Sequence, residues 1–202
     1  MKKLPTTFAM ILLAPYLLFG CSTNGGSIPG YDASVSDTLK ADATQNDGVS
    51  PDTGSTPGAE VWLDVKTGLT WQQAPSQELG QESAIAYCDA LMLKGKGDWR
   101  LPTVSELRAI LRGCAGAESS GACGVTIDCL ELTCTNTDCD GCDEASGPAN
   151  DCYWAAGLAG ECSSYWSSSV SDDATYGWYV HFAFGGVGYL NKGDINRVRC
   201  VR

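Results

Sequence analysis

The chain has 202 residues, with 24 acidic residues against 13 lysines and arginines and a formal net charge of −11. A body this acidic does not seek nucleic acid or other polyanions by bulk charge, so nucleic acid is excluded as a partner on that ground. Its 11 cysteines are too many for a reducing cytosol, where stable disulfides are rare.

Lys2 and Lys3 precede an apolar run from about Phe8 to Phe19, the pattern of an export signal over residues 1–20. The run is broken by Pro15 and is shorter than the roughly 20 apolar residues that span a bilayer. It ends in Leu18-Phe19-Gly20-Cys21, which resembles a bacterial lipobox. That resemblance implies cleavage before Cys21, diacylation of its sulfur, and a lipid bilayer as partner through the acylated residue. Setting Cys21 aside leaves an even ten cysteines, enough for as many as five disulfides in an oxidising space.

Ser22 to Ala59 is rich in Gly, Ser, Thr, Asp and Pro and holds almost no large apolar residue. It cannot bury enough surface to order itself. Residues 21–59 are therefore expected to be a tether, spanning roughly 30–36 Å root-mean-square as a flexible chain. The remainder, 60–202, suffices for one domain with its own core.

Within that domain, Val61 to Gln72 reads as a hairpin: Trp62, Val65, Leu69 and Trp71 supply strand-prone bulk, and Lys66-Thr67-Gly68 the turn. Residues 81–93 read as a helix, with Ala84, Cys88, Leu91 and Met92 on one side and Gly95 and Gly97 stopping it. Thr103-Val104-Ser105-Glu106 fits a capping box and opens a second helix to about Arg112, with Leu107, Ile110 and Leu111 as its buried stripe. Trp99 and Leu101 are expected beneath this cap as core plugs, and Arg100 in an ion pair or carbonyl contacts that hold the loop.

Residues from about 113 to 164 hold eight of the ten cysteines, many glycines and little periodicity. They are expected to be a disulfide-knit loop region rather than a second core. Strands return at Tyr165. Trp178, Val180, Phe182 and Phe184 alternate with Tyr179, His181 and Ala183, and two strands follow at Val187–Asn191 and Arg197–Arg202. Helices followed by antiparallel strands predict an α+β domain.

Taken as an ordered set, Thr67–Gln72 (TGLTWQ), Ala84–Leu91 (AIAYCDAL), Asp98–Leu107 (DWRLPTVSEL), Tyr165–Ser169 (YWSSS) and the final VRCVR resemble the Lcl C-terminal domain family, over most of 61–202. The resemblance implies a C-type-lectin-like fold on an exported or surface-attached protein. It implies a disulfide between the first helix and the last strand, at Cys88 and Cys200. It also implies ligand-binding or adhesin-type roles, with a glycan or protein as ligand. The segment 113–164 is longer than the family pattern, and no collagen-like repeat is present. The acidity of the chain argues against sulfated sugars as ligands.

Three chemistries compete for the site. Asn136, Asp138, Asp140 and Gly141 stand in the spacing N-x-D-x-D-G, and with Glu144 they could supply oxygen ligands to calcium. The EF-hand pattern would need Glu where Gly147 stands, and a solvated acidic loop is the preferred reading, with no cofactor. Cys139-x-x-Cys142 is flanked by Asp138, Asp140 and Asp143, which disfavour a reactive thiolate, so structural disulfides are expected. A ligand surface could be built from Tyr176, Trp178, Tyr179, Arg197 and Arg199, aided by His181 and Tyr189, since aromatics and arginine are favoured binding anchors.

Catalysis has little to draw on. His181 is the one histidine, and no G-x-S-x-G is present. The formylglycine-generating enzymes, which share a similar fold, need a reactive cysteine arrangement that a lone Cys200 does not supply. The expectation is a non-enzymatic lipoprotein of the bacterial cell envelope, at the outer membrane or cell surface rather than the inner membrane. Binding or adhesion is its expected role, and a structural envelope protein without a specific ligand is the alternative.

Overall fold

The computed structural model describes residues 60–75, 77–142 and 145–202. The export signal, Cys21, the tether, Asp143 and Glu144 lie outside the described residues.

The chain enters the domain on a hairpin of β1 (Val61–Leu63) and β2 (Thr70–Gln72), in which Trp62 faces Trp71. Its turn is organised by Asp64, whose buried carboxylate accepts from the Lys66 N–H (3.1 Å) and the Thr67 hydroxyl (2.7 Å). An Asp bonding its own backbone two residues on is a known turn device. The other edge of β2 receives the C-terminus: Thr70 and Arg202 exchange two backbone bonds of 2.9 Å each. Val201 exchanges another such pair with Arg100 on its far side. The last three residues are thus clasped between the first hairpin and the segment that leads into the second helix.

Helix α1 spans Gln81–Asp89 and buries Gln81, Ala84 and Cys88. Gln81 is buried because its amide donates to the carbonyls of Ser167 (2.8 Å) and Ser169 (3.0 Å) on a neighbouring strand. The helix stops four residues short of the predicted end. Leu93 and Lys96 exchange backbone bonds around Lys94 (φ 52°) and Gly95 (φ 69°), a tight reversal with both central residues left-handed. Met92, predicted to face inward, is exposed for that reason.

Helix α2, Val104–Ile110, begins as its sequence predicts. Thr103 accepts from the Glu106 N–H, and the Glu106 carboxylate accepts from the Thr103 N–H at 2.8 Å. Arg100 grips the same carboxylate with two bonds of 2.6 and 2.7 Å, and Trp99 and Leu101 are buried. Burial raises the Glu106 pKa, but the bonds from Arg100 and the Thr103 backbone outweigh it and hold the carboxyl below its ordinary value. A carboxyl depressed in the folded state stabilises above its unfolded pKa, and that stability is lost as pH falls through the folded value. Glu106→Ala should therefore lower stability by about 0.5–2 kcal/mol at neutral pH. In urea titrations the gap to wild type should close as pH drops below the ordinary carboxylate range.

Five further strands form one sheet in the order β3 (Glu78–Leu79), β7 (Asn196–Arg197), β4 (Ser164–Val170), β5 (Tyr176–His181), β6 (Gly186–Asn191). Three of its four pairings are antiparallel, as predicted; β7 lies parallel to β4 at Tyr165 and Arg197, so the sheet is mixed. One face packs on Leu107, Ile110, Tyr165, Trp178, Val180 and Phe182, the other on Ala84, Cys88, Trp166, Val198 and Cys200. Successive residues such as Tyr165 and Trp166 serve opposite faces, as strand geometry requires. With core on both sides, β4 buries its serines as well. Ser167 donates to the Trp178 carbonyl (2.7 Å), and the Ser169 hydroxyl accepts from the Val104 N–H (3.1 Å) at the start of α2. These hydroxyls are structural.

All ten cysteines of the domain are paired: Cys88–Cys200, Cys114–Cys142, Cys123–Cys139, Cys129–Cys134 and Cys152–Cys162. The segment 113–164 is the disulfide-knit loop region expected, and it joins the existing core instead of forming a second one. Cys114, Ala117, Val125, Tyr153, Trp154 and Leu158 belong to the same core as α2. Buried Arg108 reaches from α2 to the carbonyls of Ala117 (2.8 Å), Glu118 (2.7 Å) and Val125, so a helix side chain supplies donors that the loops cannot give themselves.

Candidate functional site

The fold positions an open cleft of about 510 Å³ where the β5–β6 hairpin meets the 3-10 turn at Thr137–Cys139. Tyr179, His181, Phe184 and Tyr189 supply rings to its wall, and Thr135 and Asp140 supply polar atoms.

The wall of the cleft is shaped by β6, which lacks side chains at two positions. In the strand register, Tyr179 faces Gly188 and His181 faces Gly186. A Cβ at Gly188 would stand 2.6 Å from the Tyr179 hydroxyl, and one at Gly186 would stand 2.9 Å from the Asp140 carbonyl. The tyrosine ring therefore lies across the edge strand, and the disulfide loop closes against it. Gly141 completes the joint. Its φ is +96°, and a Cβ there would meet the Phe184 carbonyl at 2.4 Å, while Cys142 N–H donates to that same carbonyl at 2.7 Å. The bonds Cys123–Cys139 and Cys114–Cys142 fix this wall from behind.

The rings are partly set by their neighbours. Tyr179 meets Trp166 edge-on at 6.3 Å, and Tyr189 meets Trp178 at 5.5 Å and Tyr176 at 5.2 Å. His181 lies 5.1 Å from Phe184, and its Nδ1 accepts from the Ala183 N–H at 3.2 Å, which leaves Nε2 as the protonated nitrogen of the neutral ring. Burial lowers the His181 pKa and raises that of Tyr179, so both are neutral near pH 7. Among the described residues no lysine or arginine lines the cleft. The lining offers π faces, hydroxyls and one carboxylate, which suits stacking and hydrogen bonding.

The aromatic and basic surface predicted from sequence is divided by the sheet. Tyr179 lines the cleft, and Tyr176 touches it through Tyr189. Trp178 is 0% exposed, because alternation turns it to the α2 face opposite Tyr179. Arg199 is also 0% exposed, held by the carbonyls of Gln72 (2.7 Å) and Ala159 (2.8 Å) and stacked about 5 Å from the rings of Trp154 and Tyr165. Arg197 is paired with Glu78 (3.0 Å) and Glu161. Neither Trp178 nor Arg199 can meet a ligand.

Of the calcium candidates, Asp140 lines the cleft, but the spacing builds a turn. The Asn136 side chain accepts from the Asp138 N–H (3.1 Å) and donates to the Ala122 carbonyl (2.9 Å). Among the described residues no three His, Cys, Asp or Glu side chains gather as a metal group, and Glu144 lies outside those residues. The strand alternation predicted from Trp178 to Phe184 ends early: β5 stops at His181, and Phe184 is 45% exposed. The signal in the sequence that marks the cleft is Gly186-Val187-Gly188, a strand with every second side chain missing opposite an aromatic strand.

A second, mostly apolar cleft of about 370 Å³ lies between the first hairpin and the loop region, walled by Trp62, Val65, Pro148 and Trp154, with Lys66 and Arg112 at its border.

The architecture defines a disulfide-knit α+β domain that presents an aromatic cleft on the edge of its sheet. The chain belongs to the Lcl C-terminal domain family, whose model matches residues 60–202. Comparison with curated proteins and with solved structures gave no match.

Proposed function

We propose that this protein is a lipoprotein of the bacterial envelope whose Lcl C-terminal domain binds a ligand and catalyses no reaction. The observation that carries the reading is the cleft at the β6 edge, where Gly186 and Gly188 let the Asp140 loop and the Tyr179 ring close on the strand and Tyr179, His181, Phe184 and Asp140 line the opening. A concave lining that combines aromatic rings with a few placed polar groups, here Thr135 and Asp140, is the make-up of a ligand site. Five disulfides favour an oxidising, extracytoplasmic space.

Anchoring is tested with Cys21→Ser. The wild-type chain should fractionate with membranes and carry a diacylglyceryl mass on its N-terminal cysteine. The variant should lose both, and an unmodified, soluble wild-type chain would remove the lipoprotein reading. Binding is tested on glycan and cell-surface arrays with the exported chain. A signal that disappears in Tyr179→Ala supports the cleft. A folded protein that is silent on every array favours a structural envelope role.

A further inference from the structure

We propose that the cleft takes an organic cation, a quaternary ammonium head, held by its aromatic rings and by Asp140. This rests on the reading of the cleft as a binding site and adds the charge of its ligand.

Charge is distributed along the chain in an unusual way. Between Arg112 and Lys192 there is no lysine or arginine, while eleven aspartates and glutamates stand in that interval. Every residue that lines the cleft, from Thr135 to Tyr189, comes from this interval. Among the described residues the lining therefore carries one formal charge, the carboxylate of Asp140, and no lysine or arginine, a sign that favours cations over anions. Inside the cleft the same sign continues by other means. Tyr179 and Phe184 offer rings whose faces are negative, and the exposed Asp140 adds a full charge. His181 is neutral near pH 7, so no positive group competes with the guest.

An anionic or phosphorylated ligand finds no donor cation here, and a purely apolar ligand gains nothing from Asp140. A cation with an apolar surface uses both. A quaternary ammonium fits best because it has no N–H to satisfy and the lining is mostly ring and hydroxyl.

The test uses the full mature chain carrying Cys21→Ser, with choline and its neutral isostere 3,3-dimethylbutan-1-ol as probes. Binding is followed by NMR shifts of the tyrosine, histidine and phenylalanine rings. Choline should bind roughly tenfold more tightly than the isostere, with shifts at Tyr179, His181 and Tyr189. Asp140→Asn should weaken choline by about twofold to fivefold, as expected of an exposed charge, and leave the isostere unchanged. Phe184→Leu, at an exposed position, removes a ring face without disturbing the core and should also weaken choline selectively. Equal binding of both probes would overturn the cationic assignment and keep the cleft as an apolar site. Absence of ring shifts with either probe in a folded protein would overturn this proposal and the cleft reading together. Competition by phosphatidylcholine vesicles, but not by phosphatidylglycerol vesicles, would place the ammonium on a lipid. Choline binding without such competition would place it on a free small molecule, and either result supports the cation.

Discussion

Replacing Cys88 and Cys200 together with alanine should lower the unfolding free energy by up to about 5 kcal/mol, the largest effect expected of any change to a side-chain pair in the domain. The two residues are 112 positions apart and their Cα atoms 5.5 Å apart, so the bond closes most of the domain into one loop. A loop of that length costs the unfolded chain much of its freedom, and the chain-entropy account scales with its logarithm. Native disulfides in small exported domains usually contribute about 2–5 kcal/mol, so a measured loss within that range is the expected outcome. Both sulfurs are fully buried beside Ala84, Trp166 and Val198, and the double substitution also leaves a small void. Guanidinium unfolding of the oxidised double variant measures the loss without a stray thiol. A loss below about 1 kcal/mol would show that packing alone holds α1 to the C-terminal segment.

Arg108→Met is expected to cost on the order of 3–5 kcal/mol. The guanidinium is buried, and burial pushes its pKa below the ordinary value, yet an arginine stays charged under any accessible condition. Among the described residues no carboxylate bonds to it; its donors go to the carbonyls of Ala117, Glu118 and Val125. Methionine preserves much of the volume and removes a desolvated charge, which offsets part of the loss. It leaves buried carbonyls without their donor, although Glu118 keeps the bond from the Gly121 N–H at 2.8 Å. Arg108→Lys separates charge from geometry. A single ammonium cannot reproduce a planar fork, so its urea midpoint should fall between those of wild type and Arg108→Met. A lysine variant as stable as wild type would mean that charge, and not the fork, organises the loops.

What could be read in advance follows a physical division. The cap of α2 was legible because its partners are three residues apart and the chemistry is local. The first hairpin was legible for the same reason, and the α+β class followed from the order of elements. Cys88 and Cys200 were paired through the family resemblance, and the spacing of the cysteines alone would not have joined them. The middle cysteines stayed open, since eight of them allow 105 pairings. Arg197 and Arg199 look like surface residues by alternation with Val198 and Cys200. That argument holds for a strand with one wet face, and this part of the sheet is covered on both. The alternation from Trp178 to Phe184 was read three residues past the end of β5 at His181. The wall of the cleft is shaped by absent side chains at Gly186 and Gly188, and a glycine in a strand says only that something comes close. Which ring comes close depends on register, and register is decided by the whole sheet.

The stretch without lysine or arginine also governs how the chain meets a protease. A trypsin-like protease carries a carboxylate in its specificity pocket and cuts after basic residues. Between Arg112 and Lys192 it has nowhere to cut. Four of the five disulfides, from Cys114–Cys142 to Cys152–Cys162, begin and end inside that interval, and the fifth, Cys88–Cys200, has both ends outside it. The domain is therefore two covalent blocks, a framework closed by one bond and an insert closed by four. Even after the framework is nicked by such an enzyme, the insert and every residue that lines the aromatic cleft leave as one cross-linked fragment.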